Sequence, residues 1–158
     1  MNFTHLDNNG NANMVGVSNK VATHRTAKAM AKIRFPQDIY QIILENDRQT
    51  PKGSIEGIAR IAGIMGAKQT SNLIPLCHPL PLEKCKVSFE YSETEPVLTI
   101  YTSAEVTHKT GIEMEALTAA SVAALTVYDM CKALTHNMII EEVRLLEKTG
   151  GKKDVCIK

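Results

Sequence analysis

The sequence lacks the features that mark several classes of protein. It contains no tryptophan and only three phenylalanines and four tyrosines, so its hydrophobic core must be largely aliphatic. The formal net charge of +1 gives no reason to expect nucleic acid or an anionic membrane surface as a partner. The four cysteines form no CxxC pair, and the N-terminal segment has no apolar signal core. These absences predict a reduced, cytoplasmic protein with no membrane association.

The length of 158 residues predicts a single domain. Its first segment, residues 1–13, is rich in asparagine and glycine, and its last segment, residues 150–158, is basic and begins with two glycines. We predict that both segments are flexible. The tail either folds over a phosphate group or remains solvated, and its composition supports both alternatives equally.

The longest structural signal is the segment Lys109–Leu134, which reads KTGIEMEALTAASVAALTVYDMCKAL and predicts one long helix. No charged residue lies between Glu115 and Asp129, and most of the circumference is apolar, which is typical of a buried helix. The run is too short for a membrane span, which needs roughly 18 unbroken apolar residues. Glu113 and Glu115 place negative charge in the first turn, where the helix dipole favours it.

The two ends of this helix carry polar residues that one small ligand can hardly reach together. Glu115 and Asp129 are 14 residues apart, which places them on nearly the same face but roughly 21 Å apart along the axis. If both ends serve one site, a second copy of the chain must supply one of them, so this spacing predicts an oligomer. Asp129 is itself unusual, because it lies at the negative end of the dipole. Asp129 and Lys132 therefore form either a surface ion pair or part of a functional site.

The remaining elements alternate between strand and helix patterns. A weak two-residue period predicts a strand over 21–35, and a helix follows from Pro36 to near Asn46. Ser54 is placed to cap a second helix, and strands are predicted over 84–91, from Pro96 to His108, and over 138–147. The order predicts a ferredoxin-like α+β fold, in which helices pack on one face of an antiparallel sheet.

The second helix contains both large aliphatic residues and glycines. We predict that Ile55, Ile58, Ile61, Ala62 and Met65 face the core. The glycines at positions 57, 63 and 66 predict close packing, for instance against the long helix.

Four polar residues outside the long helix are candidates for a site. Arg25 lies on an apolar strand face, where it either reaches solvent at the sheet edge or binds an anion. Lys52 precedes a helix N-terminus, a place that attracts anions, although a solvated loop lysine is the commoner alternative at such a position. Three prolines stiffen the loop that holds Cys77 and His78. His78 either acts as a hydrogen-bonding or acid–base group or bonds a carbonyl within a packed loop.

The sequence gives little reason to expect a metal or a cofactor. Cys77 and His78 are adjacent, but no second cluster of cysteine and histidine has the spacing of metal ligands. Neither a P-loop nor a GxGxxG motif is present. We therefore predict no metal and no cofactor.

Three long stretches resemble a known family. They are ARIAGIMGAKQTSNLIPLCHPLPL, the long-helix segment KTGIEMEALTAASVAALTVYDMCKAL, and VRLLEKTGGK. Together they are similar to the molybdenum cofactor biosynthesis protein C family of cyclic pyranopterin monophosphate synthases, and the resemblance covers nearly the whole chain. It implies a lyase that converts (8S)-3',8-cyclo-7,8-dihydroguanosine 5'-triphosphate, made by a radical SAM partner enzyme, to cyclic pyranopterin monophosphate and pyrophosphate. It further implies a ferredoxin-like homohexamer, a trimer of dimers, with sites between subunits.

The resemblance also implies roles for individual residues. Lys52, Asp129 and Lys132 match the family's catalytic positions, and we expect the two lysines to act as acid and base while Asp129 tunes Lys132. Burial of Lys132 would lower its pKa and Asp129 would raise it again, which predicts a pair poised near neutrality. The expected substrate-binding residues are Leu76, Cys77, His78, Glu113, Met114, Glu115, Arg25 and Lys148.

The chain departs from the family pattern at two places. Gly16 replaces an aspartate in a motif that usually reads MVDVS, and the ending KTGGKKDV replaces the usual KSGGKSGD. The second departure leaves the roles of Lys152 and Lys153 open. Two other functions remain to be separated from the enzyme by a turnover assay, namely a non-enzymatic oligomeric scaffold and a regulatory small-molecule binding module.

Overall fold

The computed structural model of the chain describes residues 3–158. Its elements, in chain order, are β1 (Thr23–Arg34), α1 (Gln37–Glu45), β2 (Gln49–Thr50), β3 (Gly53–Ser54), α2 (Ile55–Lys68), α3 (Thr70–Leu73), β4 (Lys84–Tyr91), β5 (Val97–His108), α4 (Glu113–Cys131), β6 (Ile139–Thr149) and β7 (Val155–Cys156). Five strands form one sheet in the order β4-β5-β1-β6-β7, and every neighbouring pair is antiparallel. The predicted α+β class with an antiparallel sheet is confirmed. Residues 1 and 2 of the predicted flexible N-terminal segment lie outside the described residues.

Small side chains on β1 allow α4 to pack directly on the centre of the sheet. Ala27, Ala29, Ala31 and Ile33 alternate along the strand and are all fully buried. Alanine is a poor strand former, so this packing rather than intrinsic propensity stabilises β1. The buried hydroxyl of Thr102 on β5 donates to the backbone oxygen of Ala116 on α4 at 2.7 Å and ties the helix to the sheet.

Helix α4 is shorter at both ends than the predicted helix of Lys109–Leu134, but its first turn contains Glu113 and Glu115 as expected. Tertiary contacts explain why α4 begins later in the chain than predicted. The guanidinium of Arg25 donates to the backbone oxygens of His108 and Lys109 at 3.0 and 3.2 Å, so these carbonyls are occupied from outside the helix. Among residues 3–158, no helix is long and apolar enough to cross a bilayer.

The predicted core face of α2 is confirmed at Ile55, which is 1% exposed, and is wrong at its other large residues. Ile61 and Met65 are 63% and 59% exposed, and Ile58 is also exposed. The buried residues of this helix are Ile55, Ala59, Gly63, Gly66 and Ala67. Close contact with α4 explains the difference, because only glycine and alanine fit between the two helices, and the larger side chains project outward. The predicted glycine packing is confirmed at Gly63, which lies against Ala119 and Ala123, and at Gly66, which lies against Val122.

Gly66 provides a test of this helix contact. A Cβ atom at this position would lie 2.8 Å from Cγ2 and 2.9 Å from Cβ of Val122, a β-branched residue that cannot rotate away. We expect Gly66→Ala to lower the free energy of unfolding by about 1–2 kcal/mol, because overpacking outweighs the gain in helix propensity.

Urea denaturation at one protein concentration measures this effect. The matched control is Gly16→Ala, where an added Cβ would meet no atom within 4 Å, and the expected change is below about 0.5 kcal/mol. Equal stability of the two variants would show that the α2–α4 contact can relax around an extra methyl group.

The segments around α1 and α2 follow the sequence with small differences. Ser54 caps α2 as predicted, since its hydroxyl accepts a hydrogen bond from the backbone N–H of Gly57 at 3.0 Å. Pro36 precedes α1 as its cap rather than forming its first residue. Strand β7 was not predicted; it pairs with β6 through Glu147–Cys156 and Lys148–Val155.

Candidate active site

A cleft of about 600 Å³ opens beside the N-terminus of α4. It is lined by β1, the proline-rich loop after α3, the first turn of α4, the end of β6 and the tail. All eight predicted substrate-binding residues line it: Arg25, Leu76, Cys77, His78, Glu113, Met114, Glu115 and Lys148. The structure therefore brings together residues that are as far as 123 positions apart in the chain.

The loop histidine has one defined hydrogen bond. Nε2 of His78 lies 2.8 Å from the backbone oxygen of Val15. Because a carbonyl only accepts, Nε2 is the donor and carries a proton. This is the carbonyl contact that the sequence left as one alternative, and it occurs in a residue that also lines the cleft.

Two carboxyl groups at the start of α4 make the cleft electrostatically unusual. Burial raises the pKa of Glu115, which is only 4% exposed, to about 7, and the nearby charge of Glu113 adds to this effect. Burial also raises the pKa of the Cys77 thiol, reinforced by the charges of Glu115 and Glu113. Cys77 is therefore protonated at neutral pH and poorly suited to be a nucleophile. Glu115 can take up or release a proton near pH 7.

Glu113 presents an acceptor that the protein only partly satisfies. Its Oε1 lies 3.4 Å from the ammonium of Lys148, while its buried Oε2 has no hydrogen-bond partner among residues 3–158. A Cβ on Gly111 would overlap this oxygen, so the glycine makes room for the carboxylate. An unpaired buried acceptor is costly in free energy.

The tail closes the far side of the cleft. Gly150 has φ +86° and its backbone N–H donates to Oδ1 of Asp154 at 3.0 Å, while the hydroxyl of Thr23 donates to the Gly150 oxygen at 2.6 Å. A side chain at Gly150 would overlap the backbone of His24. The chain turns tightly here and then forms β7, so Lys152 and Lys153 line the cleft.

Sequence reasoning did not single out Lys20, Thr110 or Gly111, which also line the cleft. No periodicity or motif marks Lys20, because it belongs to an irregular segment that only the fold brings to the site. No group of three or more histidine, cysteine, aspartate or glutamate side chains in the described chain is arranged to hold a metal ion.

The three predicted catalytic residues form a second cluster, at the C-terminal end of α4. The carboxylate of Asp129 accepts from Nζ of Lys132 at 2.7 Å and from Nζ of Lys52 at 2.9 Å. Nζ of Lys52 also donates to the backbone oxygen of Asp129 at 3.1 Å. None of these three side chains is among the described residues that line the cleft.

Charge pairing controls the protonation of this cluster. The hydrogen bond from Lys132, followed by that from Lys52, lowers the pKa of Asp129 to about 2. The hydrogen bond to Asp129 raises the pKa of Lys132. The expectation that burial poises Lys132 near neutrality is therefore wrong for the single chain, because this side chain is 51% exposed and loses little hydration.

These features indicate a class of protein. A cleft with several cations and a carboxyl group that titrates near neutrality, together with a Lys–Asp–Lys cluster, is typical of an enzyme that binds a small anionic molecule and transfers protons.

Comparison with known proteins identifies the family. Residues 14–151 match the model described as the MoaC family, and the chain belongs to this family. A cyclic pyranopterin monophosphate synthase of Xanthomonas oryzae pv. oryzae (strain MAFF 311018) is 49% identical over 153 residues, which cover 97% of this chain and 92% of that relative. The resemblance predicted from the three sequence stretches is confirmed. The family match ends at Gly151, just before Lys152 and Lys153.

Proposed function

We propose that this chain is a cyclic pyranopterin monophosphate synthase. It converts (8S)-3',8-cyclo-7,8-dihydroguanosine 5'-triphosphate to cyclic pyranopterin monophosphate with release of pyrophosphate, a lyase step of molybdenum cofactor biosynthesis. The observation that carries the proposal is the pairing, within one cleft, of the carboxyl groups of Glu113 and Glu115 with several cations. The name of the Xanthomonas relative supports it.

The two kinds of group suit the two parts of such a substrate. A guanine-derived base offers N–H donors, and the carboxyl groups of Glu113 and Glu115, two residues that line the cleft, are acceptors for them. The triphosphate is anionic, and Arg25 and Lys148 provide charge-assisted donors. Lys152 and Lys153 of the tail add positive charge that stabilises departing pyrophosphate.

Lys52 and Lys132 carry out the proton transfers. Asp129 holds both ammonium groups within hydrogen-bonding distance and so fixes their positions. Packing of a second copy over this exposed cluster would remove water, which lowers the pKa of a lysine and brings it closer to neutrality. Lys132 can then act as an acid–base group in the dimer, although its pKa is raised in the single chain.

A site shared between copies follows from the separation of the cluster and the cleft. They lie at opposite ends of α4, roughly 21 Å apart by the rise of the helix. In a two-fold dimer whose α4 helices run antiparallel, the C-terminus of one helix lies beside the N-terminus of its partner. Each of the two sites would then combine the cluster of one copy with the cleft of the other.

Exposed apolar residues support this arrangement. Leu125 is 60% exposed and lies one turn from Asp129 on α4, so the apolar surface continues directly into the Lys–Asp–Lys cluster. Further exposed apolar residues lie on α2 and α3, namely Ile58, Ile61, Met65 and Leu73. Such surfaces usually mark protein–protein contacts. We propose that a second copy covers this face in a homohexamer built as a trimer of dimers.

The fold and cellular context complete the proposal. The elements β1, α2, β4, β5, α4 and β6, with the sheet order β4-β5-β1-β6, support a ferredoxin-like fold formed by a single domain. A radical SAM enzyme supplies the substrate, and the reaction takes place in the cytoplasm.

Subunit complementation tests the reaction and the shared site together. Wild-type protein supplied with the cyclised dihydro-GTP is expected to release pyrophosphate and cyclic pyranopterin monophosphate, while Lys132→Ala and Glu115→Gln are each expected to be inactive. After the two variants are denatured and refolded together, mixed dimers contain one intact site, and random pairing restores about one quarter of wild-type activity.

The outcomes separate the alternatives. Product from wild type but none from the refolded mixture, with mixed oligomers present, would place the whole site within one copy. No product from folded wild-type protein would contradict the enzyme and favour a scaffold or a regulatory binding module.

A further inference from the structure

Lys52 lies at the tip of a hairpin that is too short to be stable by itself. Strands β2 and β3 contain two residues each and pair only through Gln49–Ser54 and Thr50–Gly53. Isolated pairs of this length are unstable in water. At the tip, the backbone N–H of Lys52 donates to the hydroxyl of Thr50 at 3.2 Å. Asp129 holds the Lys52 ammonium itself, while contacts at the base of the hairpin must fix the backbone from which the Lys52 side chain extends.

The base of the hairpin has a strained backbone. Asp47 and Arg48 have φ of 51° and 58°, and they are the non-glycine residues with positive φ among residues 3–158. Two successive left-handed residues cost roughly 1–2 kcal/mol each, so surrounding contacts must compensate. The Arg48 N–H donates to the Ile43 oxygen at 2.9 Å, and the Arg48 oxygen accepts from the Ile55 N–H at 3.1 Å.

The side chain of Arg48 connects this turn to the body of the protein. Its guanidinium carbon lies 4.6 Å from the ring centroid of Tyr91 on β4, and Nη1 lies 3.4 Å from Oε1 of Glu56 on α2. The Tyr91 ring packs in turn against Tyr40 of α1, with ring centroids 6.1 Å apart. Arg48 therefore links the base of the hairpin to a strand and two helices.

We infer that Arg48 is a positioning residue for the proton transfers assigned to Lys52, an inference that depends on the proposed function. Arg48 does not contact the Lys–Asp–Lys cluster in the contacts described above; it acts by holding the left-handed turn from which the hairpin extends. A displacement of about 1 Å at a reacting group costs roughly 10²-fold in rate, so a loosened hairpin lowers turnover even when the substrate still binds. A lysine at this position would keep a charge for Glu56 but lose the guanidinium group that lies over the Tyr91 ring.

The test compares Arg48→Ala, Arg48→Lys and the control Arg34→Ala. Arg34 is also partly exposed and paired with carboxylates, at 2.9 Å from Glu141, but it belongs to β1. We expect Arg48→Ala to lower kcat by about 10–100-fold with KM within about threefold of wild type, Arg48→Lys to fall between, and Arg34→Ala to match wild type. An equal loss in all three variants, or an increase in KM alone, would overturn the inference.

Hydrogen exchange provides a readout that is independent of turnover. In Arg48→Ala, the amides of residues 49–55 are expected to exchange at least about tenfold faster, while those of α4 and β1 remain unchanged. Unchanged exchange in the hairpin would refute the positioning role, whether or not the wild type is active. If the wild-type protein were inactive but Arg48→Ala still exchanged faster in the hairpin, the structural role of Arg48 would stand. The proposed reaction would then be the part that is contradicted.

Discussion

Asp129→Asn is expected to lower kcat by about 10³-fold, because the carboxylate organises both lysines of the cluster. Asp129 accepts from Lys132 at 2.7 Å and from Lys52 at 2.9 Å. The two ammonium groups bind different carboxylate oxygens, and asparagine replaces one of these oxygens with an NH₂ group that only donates, so one of the two contacts is lost. The substitution also removes the charge that raises the pKa of Lys132. Steady-state kinetics at saturating substrate measures the loss.

A matched control separates this effect from a general loss of surface charge. Glu141→Gln makes the same change from carboxylate to amide in an ion pair with Arg34, at 2.9 Å, and is expected to keep the wild-type rate within about twofold. Circular dichroism and the oligomeric state should be unchanged in both variants. If Asp129→Asn retained more than about a tenth of wild-type kcat, the carboxylate could not be the group that organises the proton transfers.

Glu115→Gln is expected to stabilise the protein at neutral and alkaline pH while abolishing activity. Burial raises the pKa of Glu115 from its ordinary value of 4.5 to about 7. Below pH 4.5 the group is protonated in both the folded and the unfolded protein and contributes nothing to the pH dependence. Between pH 4.5 and 7 the unfolded protein ionises first, so stability falls as pH rises.

The size of this effect follows from the pKa difference. A shift from 4.5 to about 7 corresponds to about 3 kcal/mol of destabilisation above pH 7. Glutamine has a similar shape but no charge to desolvate, so Glu115→Gln should raise the free energy of unfolding by about 3 kcal/mol at pH 8 and by almost nothing at pH 4. Urea unfolding of both proteins at pH 4, 6 and 8 and one protein concentration measures the difference.

Glu113→Gln is the natural comparison, since it removes a carboxylate two residues away that is paired with Lys148 at 3.4 Å. This variant keeps the Glu115 carboxyl group, whose pKa is raised chiefly by burial, so most of the wild-type fall in stability with rising pH should remain. A Glu115→Gln protein whose stability followed the wild-type pH dependence would mean that Glu115 ionises as easily in the folded state as in the unfolded chain.

Local patterns in the sequence predicted much of the fold. The alternation in β4 and β5, the Ser54 cap of α2 and the acidic first turn of α4 depend on contacts between near neighbours in the chain. The separation between Glu115 and Asp129 was also predictable, because a helix has a constant rise per residue. The grouping of the eight cleft residues came from family resemblance, since their positions in the chain are too far apart for any local rule.

The sequence by itself determined the secondary structure of the long elements, the family, and the placement of two polar groups at opposite ends of α4. Tertiary structure alone decided which face of α2 is buried, because the choice depends on how closely α4 approaches and not on hydrophobicity. It also decided the pairing of β7 with β6, the exposure of Lys132, and the contact of Arg48 with Tyr91. Each depends on groups from distant parts of the chain, whose packing and desolvation energies no local pattern encodes.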